Sequence, residues 1–268
     1  MTPIDPAAFR EFEHTGWQNI ASRYHGGFAP VTTQSIPALL AAALVKQGTR
    51  LIDVACGPGY AAAAAAARGA SVLGIDFSSE MVEQARGRYP GIDFQEGDAE
   101  QLSIPDSSFD AVVLNFGMLH LGRPEHAIRE AYRVLKPGSR MAFTVWDTAD
   151  KAIGFQIVLS AIQKYGDLNV PIPPGPPFFR FSDPEESKRV LSAAGFTQIS
   201  VKQVPQIWRL PSPDAFYEIM YNGSVRTAAL IRAQKPDVIE AIRREMRDGV
   251  IRYGNELPMP AVLTSGQR

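Results

Sequence analysis

From residue 50 onward the apolar positions switch between two rhythms. Short apolar runs at 50–54, 71–76, 92–96, 109–115 and 139–147 read as strands, while 60–68, 79–88 and 124–135 carry the three-to-four-residue spacing of helices. This alternation predicts a parallel sheet with right-handed crossovers. Upstream, Phe9, Phe12, Trp17, Ile20 and Tyr24 fall mostly at helical spacing with a break at Gly16, which predicts one or two amphipathic helices over 6–24. A further helix is expected over 33–46, with Thr33 as its cap, Pro37 near the first turn, and Leu39, Leu40, Leu44 and Val45 facing the sheet. Downstream, 167–184 is too rich in proline for a helix or a central strand and reads as a semi-rigid loop carrying aromatics. Ser182 or Asp183 then caps a helix opened by Pro184, 197–204 returns as a strand, 212–253 is helical, and 257–264 is a last strand.

The stretch Leu51-Ile52-Asp53-Val54-Ala55-Cys56-Gly57-Pro58-Gly59 is the most informative: an apolar run ends in an acid and a glycine turn, and the seven alanines of 61–67 follow. Strand, tight turn and helix build a nucleotide-sized pocket at the carboxyl end of a sheet. A second run delivers Asp76 roughly 20 residues later, where the next strand of a βαβ unit presents a carboxylate to a ribose. Gly57-Pro58-Gly59-Tyr60 lacks the third glycine of a dinucleotide fingerprint, and no Gly-Lys-Ser or Gly-Lys-Thr follows as in a phosphate-binding loop. A nucleoside without phosphates is what these residues describe.

Five ordered motifs, Asp53-Val54-Ala55-Cys56-Gly57-Pro58-Gly59, Asp76-Phe77-Ser78, Gly97-Asp98-Ala99-Glu100, Phe109-Asp110-Ala111-Val112-Val113-Leu114-Asn115 and Arg133-Val134-Leu135-Lys136-Pro137-Gly138, resemble class I S-adenosylmethionine-dependent methyltransferases, in particular the small-molecule group that includes quinone-biosynthesis enzymes. The likeness covers about residues 50–147, with weaker agreement to about 204; Ala55 departs from it, standing where the family usually has glycine. The resemblance implies an α/β, Rossmann-like three-layer sandwich with a seven-stranded, mostly parallel sheet of order 3-2-1-4-5-7-6, its last strand antiparallel, and a helical cap. It also implies a division into N-terminal helices over 1–49 covering the site, a cofactor-binding core over 50–204 with a substrate-side insertion at 150–181, a helical insertion over 205–256, and a final strand and tail over 257–268.

The implied cofactor is S-adenosylmethionine. Ala55, Gly57 and Gly59 would present the turn to its amino-acid end, Asp53 would orient that turn and reach the amino group, and Asp76 would accept the ribose hydroxyls. Phe77 and Met81 would flank adenine, Asp98 would accept from its exocyclic amine, and Ala99 would donate a backbone N–H to its ring. Tyr24 is expected at the cofactor carboxylate, and Asn115, Phe116 and Gly117 where cofactor and acceptor meet. His120 is a candidate general base for a hydroxyl or acidic carbon; relatives often use a histidine here as a structural residue bonded to backbone. His25 is the competing base. Trp17, Phe178, Phe179, Phe181, Trp208, Phe216, Tyr217 and Tyr221 are candidate substrate-wall residues, and their number favours an apolar or aromatic acceptor.

Composition narrows the partners. A net charge of −1 and a pI near 6.4 give no global attraction to nucleic acid or an acidic membrane. Arg243, Arg244 and Arg247 lie among Glu240, Glu245 and Asp248 and read as a solvated helix face. Cys56 is the single cysteine, so neither an intrachain disulfide nor a cysteine-based zinc site is expected; no metal site, signal peptide or spanning helix is expected either, and the cytoplasm is the expected compartment. The expected activity is methyl transfer to a small organic acceptor by a monomer or homodimer without stable membrane insertion. The other reading is a regulatory or accessory protein that binds S-adenosylmethionine without turnover.

Overall fold

The computed structural model describes residues 5–268, so the first four positions of the segment expected over 1–49 lie outside the described residues. The chain opens with α1 (Pro6–Ile20), whose first turn is held by Asp5: its carboxylate accepts from the N–H groups of Ala7 and Ala8 at 3.0 and 3.1 Å. Gly16 does not break this helix. A Cβ there would lie 2.4 Å from a methyl of Val225, so the glycine lets a distant segment pack onto α1. In place of one long helix over 33–46 the chain forms α2 (Ala29–Thr32), a 3₁₀ turn over Thr33–Ser35 and α3 (Ile36–Ala42). The Thr33 hydroxyl bonds back to the Ala29 carbonyl and caps nothing. Helix α3 ends before Leu44, which sits at φ 55° and is 65% exposed, so Leu44 leaves the sheet-facing set while Leu39, Leu40 and Val45 stay buried.

The alternating part follows as β1 (Arg50–Val54), α4 (Tyr60–Ala66), β2 (Ser71–Asp76), α5 (Ser79–Arg88), β3 (Asp93–Glu96), β4 (Phe109–Asn115), α6 (Pro124–Val134) and β5 (Leu135–Trp146). Strand β5 begins earlier than expected because Leu135 pairs with Phe109 across a bulge before the regular register from Ala111 opposite Arg140. Next come α7 (Ile153–Tyr165), which the sequence pattern did not separate from the insertion around it, and α8 (Pro184–Ala193), capped by Asp183 through a bond from the Glu185 N–H. The chain closes with β6 (Thr197–Val204), β7 (Ile207–Arg209), α9 (Pro213–Gly223), α10 (Arg226–Arg232), α11 (Pro236–Ile251), β8 (Glu256–Pro258) and β9 (Ala261–Gln267).

The seven-stranded sheet runs β3-β2-β1-β4-β5-β9-β6. Its last strand, β9, lies antiparallel between β5 and β6, with Thr264 opposite both Phe143 and Val201. Counting only these strands in chain order gives 3-2-1-4-5-7-6, as the resemblance implies. The expected last strand over 257–264 is two elements, because β8 pairs with β7 in a separate two-stranded ribbon. Central strands β1 and β4 are buried along almost their whole length, which is why they read as unbroken apolar runs. The alanines of α4 keep that helix close to β2, and Gly74 makes room for Phe94: a Cβ on Gly74 would lie 2.4 Å from the ring.

Candidate functional site

The carboxyl ends of β1, β2 and β4 open into one cavity. The turn after β1 forms its floor. Ala55, Gly57 and Gly59 adopt φ of 54°, 52° and 85°, left-handed conformations that cost a residue with a Cβ about 1–2 kcal/mol. Ala55 accepts that cost, and its methyl occupies the space that a side chain at Gly117 would need, 2.6 Å from the position of a Cβ there. Gly59 does not line the cavity. It opens α4 and packs where a Cβ would come within 2.7 Å of the Phe94 ring.

Asp76 ties the turn to β2, accepting the Gly57 N–H at 2.8 Å on one oxygen and the Ser78 N–H at 2.9 Å on the other. Burial raises its pKa to about 6, against the lowering effect of those two donors. Asp53 accepts the Ala62 N–H at 2.9 Å with Oδ2, while its Oδ1 is buried with no partner. Burial, with a smaller push from Asp76, raises the Asp53 carboxyl to about 8. Both acids line the cavity with Tyr24, Ala55, Gly57, Phe77, Met81, Asp98, Ala99, Asn115, Phe116 and Gly117. Asp98 accepts the Glu100 N–H at 2.8 Å and pairs with Arg10 at 3.1 Å, a partner that the sequence did not suggest. The Tyr24 hydroxyl meets the Thr32 hydroxyl at 3.0 Å, and burial pushes its pKa up to about 12. The Asn115 amide is committed to the fold: it accepts from Ser35 at 2.9 Å and Thr144 at 2.8 Å and donates to the Thr32 carbonyl at 3.0 Å, fastening the N-terminal helices to β4.

The other half of the cavity is aromatic. Phe116 lies 4.1 Å from Trp146, Trp146 lies 5.6 Å from Phe155, and Phe155 lies 5.1 Å from Phe178; Trp17 and Phe28 complete the wall. His120 points into this half. Its Nδ1 is 3.0 Å from Glu13 Oε2, which also accepts the Trp17 indole N–H at 3.1 Å, and the Trp17 ring meets the imidazole edge-on at 4.8 Å. The partner of the imidazole is therefore a carboxylate, not the backbone. A neutral imidazole that donates from Nδ1 to a carboxylate keeps the lone pair of Nε2 free. Glu13 is fully buried, and its Oε1 has no partner.

Sequence reasoning missed Glu13, although a signal was present: an acid between Phe9 and Trp17 at four-residue intervals lies on the apolar stripe of its helix. Several expected wall residues are elsewhere. Trp208 is 1% exposed and packs in the core 4.9 Å from Phe28 and 5.8 Å from Phe216. Tyr217 and Tyr221 stack on each other at 5.5 Å beneath Arg243 and Arg232, away from the cavity. Phe179 stands behind the wall against Phe155 and Phe178, and Phe181 and Phe216 are core residues. His25 is exposed, bonded to the Tyr60 hydroxyl, and does not line the cavity.

A Rossmann-like sheet of this order, with two acids and a left-handed turn at its carboxyl edge, defines a nucleoside-binding α/β protein. Residues 52–143 match the family model of a methyltransferase domain. The chain is 37% identical over 121 residues to a demethylmenaquinone methyltransferase of Clavibacter sepedonicus, covering 43% of this chain and 49% of that one. It is 40% identical over 188 residues to a ubiquinone/menaquinone biosynthesis C-methyltransferase of Rhodopseudomonas palustris, covering 67% of this chain and 66% of that one. Among solved structures, phosphoethanolamine N-methyltransferase 2 of Haemonchus contortus, in complex with S-adenosylhomocysteine, superposes with a TM-score of 0.61 at 18% identity over 98% of this chain and 61% of that chain, a likeness of fold. The chain belongs to the class I S-adenosylmethionine-dependent methyltransferases. It spans about half the length, or less, of several of the curated relatives that it matches.

The family's cofactor suits these residues. The unpartnered Asp53 Oδ1 calls for a cationic or N–H donor such as the cofactor's ammonium. The remaining lone pairs of Asp76 suit hydroxyl donors, and Phe77, Met81 and Ala99 offer an apolar slot for a flat base. Among the described residues no helix is long and apolar enough to cross a membrane.

Proposed function

We propose that this protein transfers the methyl group of S-adenosylmethionine to a small, apolar or aromatic acceptor by in-line displacement. The observation that carries the reading is the continuity of the cavity: an unpartnered buried carboxylate oxygen at one end, and an aromatic wall with a carboxylate-bound histidine at the other. When bound, the cofactor supplies a methyl group already activated by a sulfonium. The protein's work is then to hold two reactants in line, worth about 7–11 kcal/mol in the best intramolecular models.

In this reading Asp53 holds the amino group, Asp76 the ribose, and Phe77, Met81, Asp98 and Ala99 the base, while Tyr24, Ala55, Gly57, Asn115, Phe116 and Gly117 shape the remainder. Trp17, Phe116, Trp146, Phe155 and Phe178 exclude water from the acceptor. His120 Nε2 removes a proton from an acceptor hydroxyl or acidic carbon, and Glu13 fixes the imidazole through Nδ1. The N-terminal helices from residue 5 to 49 and the insertion over 205–256 act as the cover of a core over 50–204, and within 257–268 it is β9 that completes the sheet. The relatives named for quinone methylation support a ring-bearing acceptor such as a hydroquinone. None of them is named for a regulatory role, so the accessory reading gains nothing. A cytoplasmic site of action belongs to the same proposal.

Calorimetric titration with S-adenosylmethionine, S-adenosylhomocysteine and NAD, followed by transfer of labelled methyl to hydroquinones, phenols and amines, tests it. Micromolar binding of the first two with label appearing on an aromatic acceptor is expected. Binding of NAD alone would overturn the cofactor; tight cofactor binding with no label on any acceptor would overturn the activity.

A further inference from the structure

Where the acceptor half of the cavity meets α10, Arg226 lines it. The side chain is half-buried, and its guanidinium lies 5.2 Å from the centre of the Phe9 ring and 5.3 Å from that of Phe178. One nitrogen donates to the Pro176 carbonyl at 3.1 Å. Among the described residues Arg226 makes no ion pair within 4.0 Å. Glu13 is the charge that acts on it from farther away, beyond ion-pair distance; its Oε2 is taken by His120 and Trp17, and its Oε1 has no hydrogen-bond partner. A guanidinium has five N–H donors in a planar fork. Here most of them are unspent, in a cavity walled by rings, where an unpaired cation is costly.

We propose that Arg226 binds an anionic oxygen of the acceptor, so that the substrate is an aromatic compound bearing a carboxylate or an ionised ring hydroxyl. This inference rests on the methyltransferase reading and narrows its acceptor class. Phe9 and Phe178 hold the guanidinium from its sides, and the Pro176 carbonyl fixes one arm; the remaining donors face a carboxylate in the bidentate manner or a phenolate as a pair of converging bonds. The acceptor ring then lies along the wall of Trp146, Phe155 and Phe178, with its charged edge toward α10. Burial lowers the pKa of Arg226 without removing its charge, since a guanidinium stays protonated at any working pH.

The test uses the full chain saturated with S-adenosylhomocysteine and two pairs of matched probes, 2-naphthoate with 2-naphthamide, and 4-nitrophenol at a pH that ionises it with 4-nitroanisole. Calorimetry is expected to give at least tenfold tighter binding for the anion of one pair or both; the pair that shows it separates the carboxylate from the ionised hydroxyl. Arg226→Gln should abolish the preference while S-adenosylhomocysteine affinity and melting temperature stay at the wild-type values, and Arg226→Lys should keep part of it. Equal affinity for anion and neutral twin in the wild type would overturn the proposal, as would Arg226→Gln losing both twins equally or melting early, which would make the residue a structural tie between α10 and the 176 loop. Failure of S-adenosylhomocysteine to bind at all would overturn the underlying reading instead, and is recorded before any probe is added.

Discussion

Asp53 makes cofactor binding a proton-coupled event. Its carboxyl is held at about 8 by burial, so in the free protein at pH 7 it carries a proton that an exposed aspartate, with an ordinary value of 3.8, would have lost. Folding is therefore linked to pH in a definite direction. The unfolded chain releases this proton near 3.8 and the folded chain only near 8, so the cofactor-free protein loses stability as pH rises between those values. The window is roughly four pH units, an upper bound on the order of 5 kcal/mol. Pairing with an ammonium reverses the demand. To hold the amino group as an ion pair, Asp53 must shed its proton below pH 8, whereas an α-amino group, titrating near 8 in water, must gain one above it. Affinity should peak near pH 8 and fall by up to about tenfold per pH unit on each side. Between pH 8 and pH 6 the loss is thus up to about 100-fold, and Asp76, held at about 6, steepens the acid limb below that. The assay is titration with S-adenosylhomocysteine from pH 6 to 9 in buffers of different ionisation enthalpy, which also counts released protons; about one is expected at pH 7. Asp53→Asn keeps an oxygen for the Ala62 N–H, so it should bind more weakly and lose the acid limb without unfolding. A wild-type affinity that is flat from pH 6 to 8, or no proton released at pH 7, would refute the reasoning.

Asp76→Ala should weaken S-adenosylmethionine binding at least tenfold, because it removes a charge-assisted acceptor and also frees the Gly57 and Ser78 N–H groups that it now holds; unchanged affinity by calorimetry would overturn the ribose assignment. His120→Ala should lower kcat by about 10²-fold or more with little change in cofactor affinity, and Glu13→Gln should cause a smaller loss and a displaced pH–rate profile; a near-normal rate for His120→Ala would return it to a structural role. Gly74→Ala should cost roughly 1–3 kcal/mol, read as a lowered melting temperature, since the new methyl would meet a Phe94 ring that is 1% exposed and has no space to yield; an unchanged melting temperature would mean that β2 and β3 shift more easily than their packing suggests.

The cofactor side of this molecule was legible in the sequence because each of its residues answers a local demand of the backbone. A strand that ends in an acid, a turn that needs left-handed residues and a helix that needs room must be written consecutively, and Asp53, Gly57 and Gly59 are. Even so, the glycines divided in role: Gly57 faces the cavity while Gly59 answers to Phe94, a contact between the start of α4 and strand β3 that spacing alone does not announce. Helix boundaries went wrong where tertiary contacts decide. Gly16 reads as a breaker until Val225 is found lying against it, and Leu44 reads as apolar core until the chain turns left-handed to enter β1.

The acceptor side is assembled from parts too far apart to be read together. Glu13 and His120 are 107 positions apart, and Arg226 stands against Phe9 from the far end of the chain. Aromatic residues were a poor guide to it, because a large ring is buried wherever the fold offers space; Trp208 and Phe216 found that space behind α2 and α9, not in the cavity. The better guide is the residue type that burial should exclude. Glu13 sits on the apolar stripe of α1, where an acid is costly unless it is bonded, and its two N–H partners, Trp17 and His120, both line the cavity. Arg226 follows the same logic with the opposite charge, although no periodic pattern around it could have flagged it. A charge placed in an apolar setting and left incompletely paired by its own chain is where this fold exposes its acceptor chemistry.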